Sequence, residues 1–494
     1  MKPYQILVFF LSVILILLFI AMVFPDRELR ISDEYSLKFI RIDEIIGKEE
    51  VQYADISGII ESSKRLKELK EEVFRPDSIY EEPFLATDTI RANADSLREI
   101  THLIEFSPGC EKLLDRLFLR FYNLTQSGEL IRILHYGDSQ IESDRITGIF
   151  RHRLQMKFGG MGGGMVPPVP LYHGKRSIRQ EYSENWIRYT GFANVDSTIK
   201  HKRFGPLFAF STFHNKDSTQ KSTAWLKFEP SPYAYITSRN FRRVSLLFGG
   251  SCRELLVKTF ISDSLADSSY HHSSNGFIKL EYHTEKTPGE IRFHFEGFTK
   301  PEVYAVSMDG DYGVAVDNIP LRGSSGLFFS KSDTSLLRKI YQELNIGMLV
   351  LQFGGNIVPH QANSYDFYRR YFSRELRTIK KILPGVPVIV IGPSDMSMKD
   401  RGNYVTYSSL EPVRDALRSA ALENDFAFWD MYEAMGGKNS MPSWVWAEPS
   451  LAVSDFVHFN TRGAQIIGEM FYNALLYEYK QWLNSRQMEE LVVQ

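Results

Sequence analysis

Three side chains in this 494-residue sequence have the types needed to activate a nucleophile. Ser139 follows the apolar run ILHYG and precedes the charged, helix-forming run QIESDR. A serine between a strand end and a helix start exposes its hydroxyl, with unpaired backbone N–H groups and the positive end of the helix nearby. Ser and Asp are also favoured as helix caps, so Gly-Asp-Ser alone predicts an ordinary cap.

The segment SDFVHFNTRGAQ near the C-terminus supplies a base and a carboxylate. Asp455 lies three residues before His458, just ahead of an amphipathic pattern in which Ile467, Phe471 and Leu475 recur every four residues. An activated serine needs a neutral imidazole to accept its proton, and a carboxylate fixes the imidazole tautomer and stabilises the imidazolium. For an isolated pair of this kind, a capping Asp455 and a solvated His458 are the alternative.

The elements that must position these residues are predicted by apolar runs in the C-terminal half. YGVAVDNI ends in PLRGSSG, NIGMLVLQF ends in GGN, PGVPVIVIG ends in PSD, and DFAFWDMY follows a further helical pattern. Long apolar runs that alternate with amphipathic helices predict an α/β unit with parallel strands buried on both faces. Ligands of such sheets bind at the carboxyl ends of the strands, an edge that would carry Ser139, Gly326 and Asn356.

Residues 169–310 have a different pattern, with short apolar runs such as RRVSLLFGG, FIKLEYH and EIRFHFEGF between polar turns. This pattern predicts an all-β sandwich domain inserted into the α/β unit. Trp186, Trp225, Tyr233 and Tyr235 are candidates for an aromatic platform that binds an extended sugar. A place in the sandwich core is the alternative for each of them.

The N-terminus contains a candidate membrane anchor. Residues 6–24 carry no charge, and at about 1.5 Å per residue they approach the roughly 30 Å hydrocarbon core. Because no small-x-small cleavage site follows, we expect an uncleaved anchor instead of a removed signal peptide; a buried core helix is the alternative. Lys2 and the amino terminus are positive and precede the apolar run, whereas DRELR after it mixes positive and negative charges. Because positive charge favours the cytoplasmic side, we predict that the N-terminus is inside and the rest is extracytoplasmic, in the periplasm.

These patterns predict a division of the chain into six parts. The anchor takes 1–25, a charged helical spacer 26–123, the first part of the catalytic domain 124–168, the inserted domain 169–310, the second catalytic part 311–482, and a tail 483–494.

Composition and motifs exclude several other functions. With 58 Lys and Arg against 60 Asp and Glu, the chain shows no basic excess that would indicate a nucleic-acid partner. Its two cysteines form no CxxC zinc pattern, and we predict neither a metal nor a cofactor. The run GGMGGGMVPPVP follows a helix and lacks both nucleotide-binding spacings, so it predicts a close turn into the inserted domain.

Four short blocks, in order, resemble the SGNH (or GDSL) hydrolase family. YGDSQ resembles the first block, RGSSG the second, GGN the third and DFVH the fifth. The resemblance covers most of 130–165 and 312–480, and it implies a flavodoxin-like three-layer α/β/α fold. It also implies that Ser139 is the nucleophile, assisted by His458 and Asp455.

The same resemblance implies an oxyanion hole. Its donors would be the N–H of Ser139, the N–H of Gly326 and the side-chain amide of Asn356, with Gly323 as an alternative donor in the second block. Gln140 follows the serine where the family often has Leu or His, so Gln140 inherits no role from it.

The extracytoplasmic position and the inserted domain resemble the branch that includes peptidoglycan and polysaccharide O-acetylesterases. This implies an esterase that removes acetyl groups from an acylated cell-envelope glycan through an acyl-Ser139 intermediate. The alternatives are an O-acetyltransferase that uses the same triad, supplied by a membrane-bound acyltransferase partner, and a non-catalytic glycan-binding protein. Trp444 and Trp446, in PSWVWAEPS, are candidates to wall the sugar or acyl site, with packing against the sheet as the alternative.

Overall fold

The structure is a computed structural model of the chain. It describes residues 3–23, 29–30, 36–37, 51–64, 97–98, 102–171, 177–193, 195–213, 221–298 and 300–493. Much of the predicted spacer, including the turn-prone run RPDSIYEEP, therefore lies outside the described residues.

A parallel sheet of five strands forms the centre of the α/β unit. Its strands are β1 Leu130–Gly137, β2 Gly313–Pro320, β3 Ile346–Gln352, β4 Val388–Ile391 and β5 Ala427–Trp429. Their spatial order is β2-β1-β3-β4-β5, which is the flavodoxin-like order. Every residue of β3 is buried, as expected for a parallel strand with both faces covered.

Helices cover this sheet on two sides. Alternate residues of β1 enter two separate cores, Leu134 and Tyr136 in one and Ile131 and Ile133 in the other, because successive side chains of a strand point to opposite faces. The helices, in chain order, are α1 Pro3–Val23, α2 Asp115–Tyr122, α3 Thr147–Phe158, α4 Thr334–Glu343, α5 Asp366–Ile382, α6 Leu410–Glu423, α7 Ser440–Trp446 and α8 Thr461–Val493. Of these, α2, α3, α7 and α8 share the core of Ile131, and α4, α5 and α6 share the core of Leu134. Residues 483–493 of the predicted tail continue α8.

Shorter elements complete the described chain. The helical turns are Leu124–Ser127, Ser139–Asp144, Ile236–Arg239, Phe329–Lys331 and Met431–Ala434, and residues 57–64 are also helical. The two-stranded sheets pair Leu29–Arg30 with Ser36–Leu37 and Ser397–Asp400 with Asn403–Thr406.

An antiparallel sheet of nine strands is formed by the chain between β1 and β2. Its strands are Gly164–Val166, Ile178–Tyr182, Trp186–Thr190, Ala209–Phe213, Ser222–Pro230, Arg243–Ile261, Ser264–His283, Ile291–Gly297 and Glu302–Asp309. The long strand Arg243–Ile261 pairs with Glu302–Asp309 in its first half and with Ile291–Gly297 in its second half. The ring of Trp186 contacts the rings of Phe213 and Phe295, so the sheet curls around its own core.

A buried charge cluster joins the two sheets. Arg132 of β1 donates to both carboxylate oxygens of Asp317 in β2 at 2.9 Å and to Asp309 at 2.5 Å. The N–H of Met165 also donates to Asp317, at 2.6 Å. Gly162, with φ +97°, lies directly against the Met308 carbonyl, where a Cβ would clash. The glycine-rich run thus permits the predicted close turn.

The N-terminal helix α1 meets the size and composition of a membrane span. Its window Pro3–Ile20 has a mean hydropathy of 2.6, and none of that window is buried inside the molecule. One helix of the described residues is therefore long and apolar enough to cross a membrane.

Candidate active site

The three residues predicted to activate a nucleophile form one hydrogen-bonded chain. Ser139 Oγ lies 2.8 Å from His458 Nε2, and His458 Nδ1 lies 2.7 Å from Asp455 Oδ2. The predicted nucleophile, base and orienting carboxylate are therefore in the order and at the distances that proton transfer from a serine requires. The structure thus brings together residues from the two ends of the α/β unit.

The nucleophile turn follows β1 directly, and Asp138 shapes it. The Asp138 carboxylate accepts from the N–H of Gln140 at 3.0 Å, which caps the helical turn that begins at Ser139. Burial raises the pKa of Asp138 to about 6, and the Gln140 N–H opposes this rise. In this turn Asp138 is the capping residue, which leaves the Ser139 hydroxyl free to face His458.

The Asp455 carboxylate also organises the turn that leads to His458. Its Oδ1 accepts from the N–H groups of Val457 at 2.9 Å and His458 at 3.0 Å. Partial burial works to raise the pKa of Asp455, but these N–H groups and the His458 ring outweigh it and lower the pKa. The carboxylate therefore stays ionised beside the imidazole.

Two side chains that sequence reasoning did not select hold the base against the nucleophile. Gln140 donates to the Val457 carbonyl at 2.6 Å, and Arg145 donates to the Phe459 carbonyl at 3.0 Å. These carbonyls come immediately before and after His458. Arg145 also donates to the carbonyl of Ser139 at 3.0 Å, so both side chains tie the nucleophile turn to the loop of the base.

The predicted oxyanion donors lie in two loops after β2 and β3. One amide hydrogen of Asn356 donates to the Ser324 carbonyl at 3.0 Å. The Gly326 N–H donates to Ser324 Oγ at 3.1 Å, and a Cβ on Gly326 would press on Phe353. Gly323 is exposed, with open space where a Cβ would lie, and its N–H donates no backbone hydrogen bond within the described part of the chain.

The tryptophans selected from the sequence have two different environments. Trp444 is fully buried and donates its indole N–H to the Met435 carbonyl, and Trp186 is 7% exposed and donates to the Trp225 carbonyl. Packing in the core, the alternative stated for both, describes them, since neither can contact a glycan at the surface. Trp446 is 52% exposed, and Trp225 is half-buried.

The two tyrosines of the predicted platform also differ. Tyr233 is 80% exposed. Tyr235 stacks on the His152 ring, with centroids 4.8 Å apart, and accepts a hydrogen bond from Gln465. Tyr235 therefore joins the antiparallel sheet's loop to the α/β unit, whereas Tyr233 stays open to solvent.

A buried polar network lies beneath the nucleophile turn. The His135 ring contacts Gln352 Oε1 at 3.1 Å and Thr147 Oγ1 at 3.0 Å, and Thr147 donates to Asn318 at 2.8 Å. Burial lowers the pKa of His135 to about 4, so this imidazole is neutral and acts as part of the scaffold.

A small cavity of about 70 Å³ adjoins the nucleophile turn. It is lined by residues of the turn, of β2 and of the loop after the strand Gly164–Val166: Glu142, Ser143, Ile319, Pro320, Pro167 and Leu171 among others. Over the described residues, no group of three or more His, Cys, Asp or Glu side chains is placed to hold a metal ion.

Comparison with solved structures finds esterases. A peptidoglycan O-acetylesterase matches with a TM-score of 0.58 at 21% identity, over 74% of this chain and 96% of that chain. A family-two carbohydrate esterase from Cellvibrio japonicus matches with a TM-score of 0.24 at 9% identity, over 62% and 99% of the two chains. A family 3 carbohydrate esterase from Talaromyces cellulolyticus matches with a TM-score of 0.25 at 18% identity, over 33% and 72%. No family model matches the sequence, and the search of curated proteins finds no match.

The likeness to the O-acetylesterase establishes a shared fold, because it spans almost the whole of that chain. The other two superpositions are too slight to carry an argument. The strand order β2-β1-β3-β4-β5 agrees with the flavodoxin-like order that the four sequence blocks imply. The chain therefore shares the fold of this O-acetylesterase.

Proposed function

We propose that this chain is a serine ester hydrolase that removes O-acetyl groups from a cell-envelope glycan. The observation that carries the proposal is the continuous hydrogen-bonded chain from Ser139 through His458 to Asp455. Its fold is shared with a peptidoglycan O-acetylesterase, which supports an acetylated glycan as the substrate class.

Acylation follows from the geometry of the triad. As Ser139 Oγ attacks the acetyl carbonyl carbon, its proton moves to His458 Nε2, and Asp455 stabilises the resulting imidazolium. Collapse of the tetrahedral intermediate breaks the bond to the sugar oxygen, which takes the proton from His458. Acetyl-Ser139 and a free sugar hydroxyl remain.

We infer that the tetrahedral oxyanion is bound by three N–H donors. These are the backbone N–H of Ser139, the second amide hydrogen of Asn356 and the N–H of Gly323. Gly323 is preferred to Gly326 because the Gly326 N–H already donates to Ser324, whereas that of Gly323 donates no backbone hydrogen bond within the described residues. A donor that is not already engaged costs no broken hydrogen bond when the negative charge develops.

Deacylation repeats these steps with water as the nucleophile. As water attacks the carbonyl carbon of acetyl-Ser139, His458 takes a proton from it. Collapse of the tetrahedral intermediate breaks the bond to Ser139 Oγ, which takes that proton back from His458, and acetate is released. An O-acetyltransferase would use the same residues but would replace water with a sugar hydroxyl. None of the contacts described above favours that alternative, which would also need an acetyl donor from a membrane-bound acyltransferase partner.

We further propose that the antiparallel strands form an inserted β-sandwich domain that supports the glycan. In this proposal α1 anchors the chain, with the catalytic part on the extracytoplasmic, periplasmic side.

The test is acetate release from an O-acetylated glycan and from an aryl acetate. We expect the full chain to release acetate from both, and Ser139→Ala to release none while keeping the wild-type melting temperature, because the hydroxyl is only part-buried. Mass spectrometry of the intact protein during turnover should detect acetyl on Ser139. Undiminished turnover by Ser139→Ala would overturn the proposal. Slow acetate release that becomes fast acetyl transfer when deacetylated glycan is added would establish the transferase instead.

A further inference from the structure

Residues 51–64 of the predicted spacer pack against the α/β unit. The N–H of Ala54 donates to the Asn439 carbonyl at 3.3 Å, the Asn439 side chain donates to the Gln52 carbonyl at 3.1 Å, and Ser443 donates to the Ala54 carbonyl at 2.7 Å. Ile56 is 6% exposed and lies in the same core as Trp444. This segment therefore packs as part of the α/β unit.

An aromatic cluster connects this segment to the loop of the base. The Tyr53 and Trp446 rings meet edge to face, with centroids 5.0 Å apart at 89°. Trp446 in turn meets Phe456 at 5.8 Å and 77°, and Phe456 stacks on Tyr404 at 3.5 Å and 10°. Tyr404 also meets Trp446, at 6.3 Å and 71°. Such geometries are favourable for aromatic pairs, so the four rings form one cluster that connects Tyr53 to Phe456 in the loop of the base.

Phe456 is the residue through which this cluster acts on the base. It follows Asp455, and the turn that returns the chain to His458 passes through it with φ +58°. A bulky side chain in this left-handed region is strained and needs surrounding contacts to keep it there. Its N–H donates to the Val453 carbonyl at 3.1 Å, its carbonyl accepts from the Ser397 N–H at 3.0 Å, and its ring is buried against Tyr404.

Tyr53 packs on the solvent-exposed side of this cluster, against Trp446. Trp446 is 52% exposed, and the Tyr53 ring packs on it from the side of residues 51–56. Without that ring Trp446 loses one of its three aromatic contacts, those with Tyr53, Phe456 and Tyr404. We expect this loss to loosen the strained turn and to lower the fraction of time that His458 is aligned with Ser139.

We propose that Tyr53 is a positioning residue for His458, acting through Trp446 and Phe456. The segment after the N-terminal helix thereby does more than connect that helix to the enzyme, because it completes the support of the catalytic base. The proposal rests on the proposed function only in taking ester hydrolysis as one of its two readouts.

The first experiment uses point variants in the full chain with an aryl acetate as substrate. We expect Tyr53→Ala to lower kcat about three- to tenfold, the rate equivalent of one aromatic contact, with KM unchanged because Tyr53 does not touch the acyl group. Tyr53→Phe keeps the ring and should retain the wild-type kcat. Tyr270→Ala, which removes a tyrosine that is 61% exposed on the antiparallel sheet, is the matched control and should change nothing.

The second experiment tests the route through Trp446. If Tyr53 acts through Trp446, then Tyr53→Ala should have no further effect on kcat in a Trp446→Ala background. Two losses that multiply would overturn the proposal, as would a kcat for Tyr53→Ala equal to wild type, or equal losses in Tyr53→Ala and Tyr53→Phe. A fall in kcat that merely follows the unfolded fraction, measured by thermal melting, would also overturn it.

A third measurement separates this proposal from the proposed function. A fluorophosphonate phosphonylates an activated serine: the Ser139 Oγ–P bond forms, fluoride leaves, and His458 takes the hydroxyl proton. Its labelling rate reports on the Ser139–His458 pair whatever the natural substrate is. Slower labelling in Tyr53→Ala than in Tyr53→Phe supports the positioning role even if acetylated glycans prove not to be substrates. Equal labelling rates overturn that role even if they are substrates.

Discussion

The parallel strand β3 and the antiparallel strand Ser222–Pro230 bury their residues in different patterns. Every residue of β3 is buried, and Asn356, a candidate site residue, lies in the loop that follows the strand. In the antiparallel strand Ser222–Pro230 burial alternates, so that Ala224, Leu226 and Phe228 are buried while Trp225 between them is not. Position after a strand therefore places the candidate site residue beside β3, whereas odd or even position decides exposure within an alternating antiparallel strand such as Ser222–Pro230.

This difference explains why the two regions were predicted with unequal success. The turn after a parallel strand is recognisable from its sequence, and the carboxyl ends of neighbouring strands converge whatever their register. In an antiparallel strand a shift of one residue exchanges the buried and the exposed face. Composition alone therefore could not decide that Trp186 lies in the core and that Trp225 does not.

The largest expected effect is the loss of stability when one of these two tryptophans is replaced by alanine. Trp186→Ala should destabilise the protein by about 3–5 kcal/mol, because it leaves a cavity between Phe213 and Phe295. Trp225→Ala removes a half-buried ring from the other face and should cost clearly less. Urea unfolding of both variants measures the difference. Equal losses would mean that the difference in burial between the two rings does not set their contribution to stability.

The next effect tests the strand ends of the parallel sheet. Asn356→Ala should lower kcat roughly 10²- to 10³-fold, the usual loss for one oxyanion donor, with little change in melting temperature. Steady-state kinetics on an aryl acetate is the measurement. An unchanged kcat would remove Asn356 from the oxyanion hole and would weaken the rule that chemistry gathers at these ends.

A smaller effect on kcat distinguishes Gln140, which contacts the loop of His458, from a buried glutamine that lies elsewhere. Gln140→Leu removes the donor to the Val457 carbonyl and should lower kcat about tenfold, since one lost buried hydrogen bond is worth about 1–3 kcal/mol. Gln155→Leu is the matched control: Gln155 is equally buried but donates to Gly162 and Val314, away from the triad. It should reduce stability and leave the kcat of the folded protein intact. Equal kcat values for the two variants would contradict a positioning role of Gln140.

The smallest effect is a pH dependence from the polar network inside the parallel sheet. The folded-state pKa of His135, about 4, lies below its ordinary value of 6.5. The unfolded chain therefore takes up this proton first, so stability present above pH 6.5 is lost as the pH falls towards 4, by up to about 1.4 kcal/mol per pH unit. His135→Gln removes that loss, and its melting temperature should fall less than that of wild type between pH 7 and 5.

The titration of Asp138 does not affect the comparison between wild type and His135→Gln. Its raised pKa of about 6 makes the folded protein take up the proton before the unfolded chain does. Its contribution is therefore present below pH 3.8 and lost as the pH rises towards 6, the opposite sign to that of His135. Because wild type and His135→Gln both keep Asp138, its contribution cancels in their difference. Identical pH profiles for the two proteins would show that His135 is not a buried neutral group.

The sequence predicted the parallel strands and the pairing of Ser139 with His458 because both depend on local patterns. Neither the contact of Gln140 with Val457 nor the docking of Tyr53 on Trp446 has such a pattern, since each depends on where two distant loops meet in space. The choice between Gly323 and Gly326 turned on a side chain, Ser324, whose hydroxyl occupies one N–H. Hydrogen bonds of that kind form only once the loop has folded.

The buried cluster of Arg132, Asp309 and Asp317 has a consequence for how the molecule melts. It joins the first two strands of the parallel sheet to the last antiparallel strand, with side chains at most 3% exposed. If either sheet unfolded alone, it would leave uncompensated charge in the interior of the other, which is strongly unfavourable. The two sheets are therefore coupled into one cooperative unit, and scanning calorimetry should record a single endotherm for them instead of two.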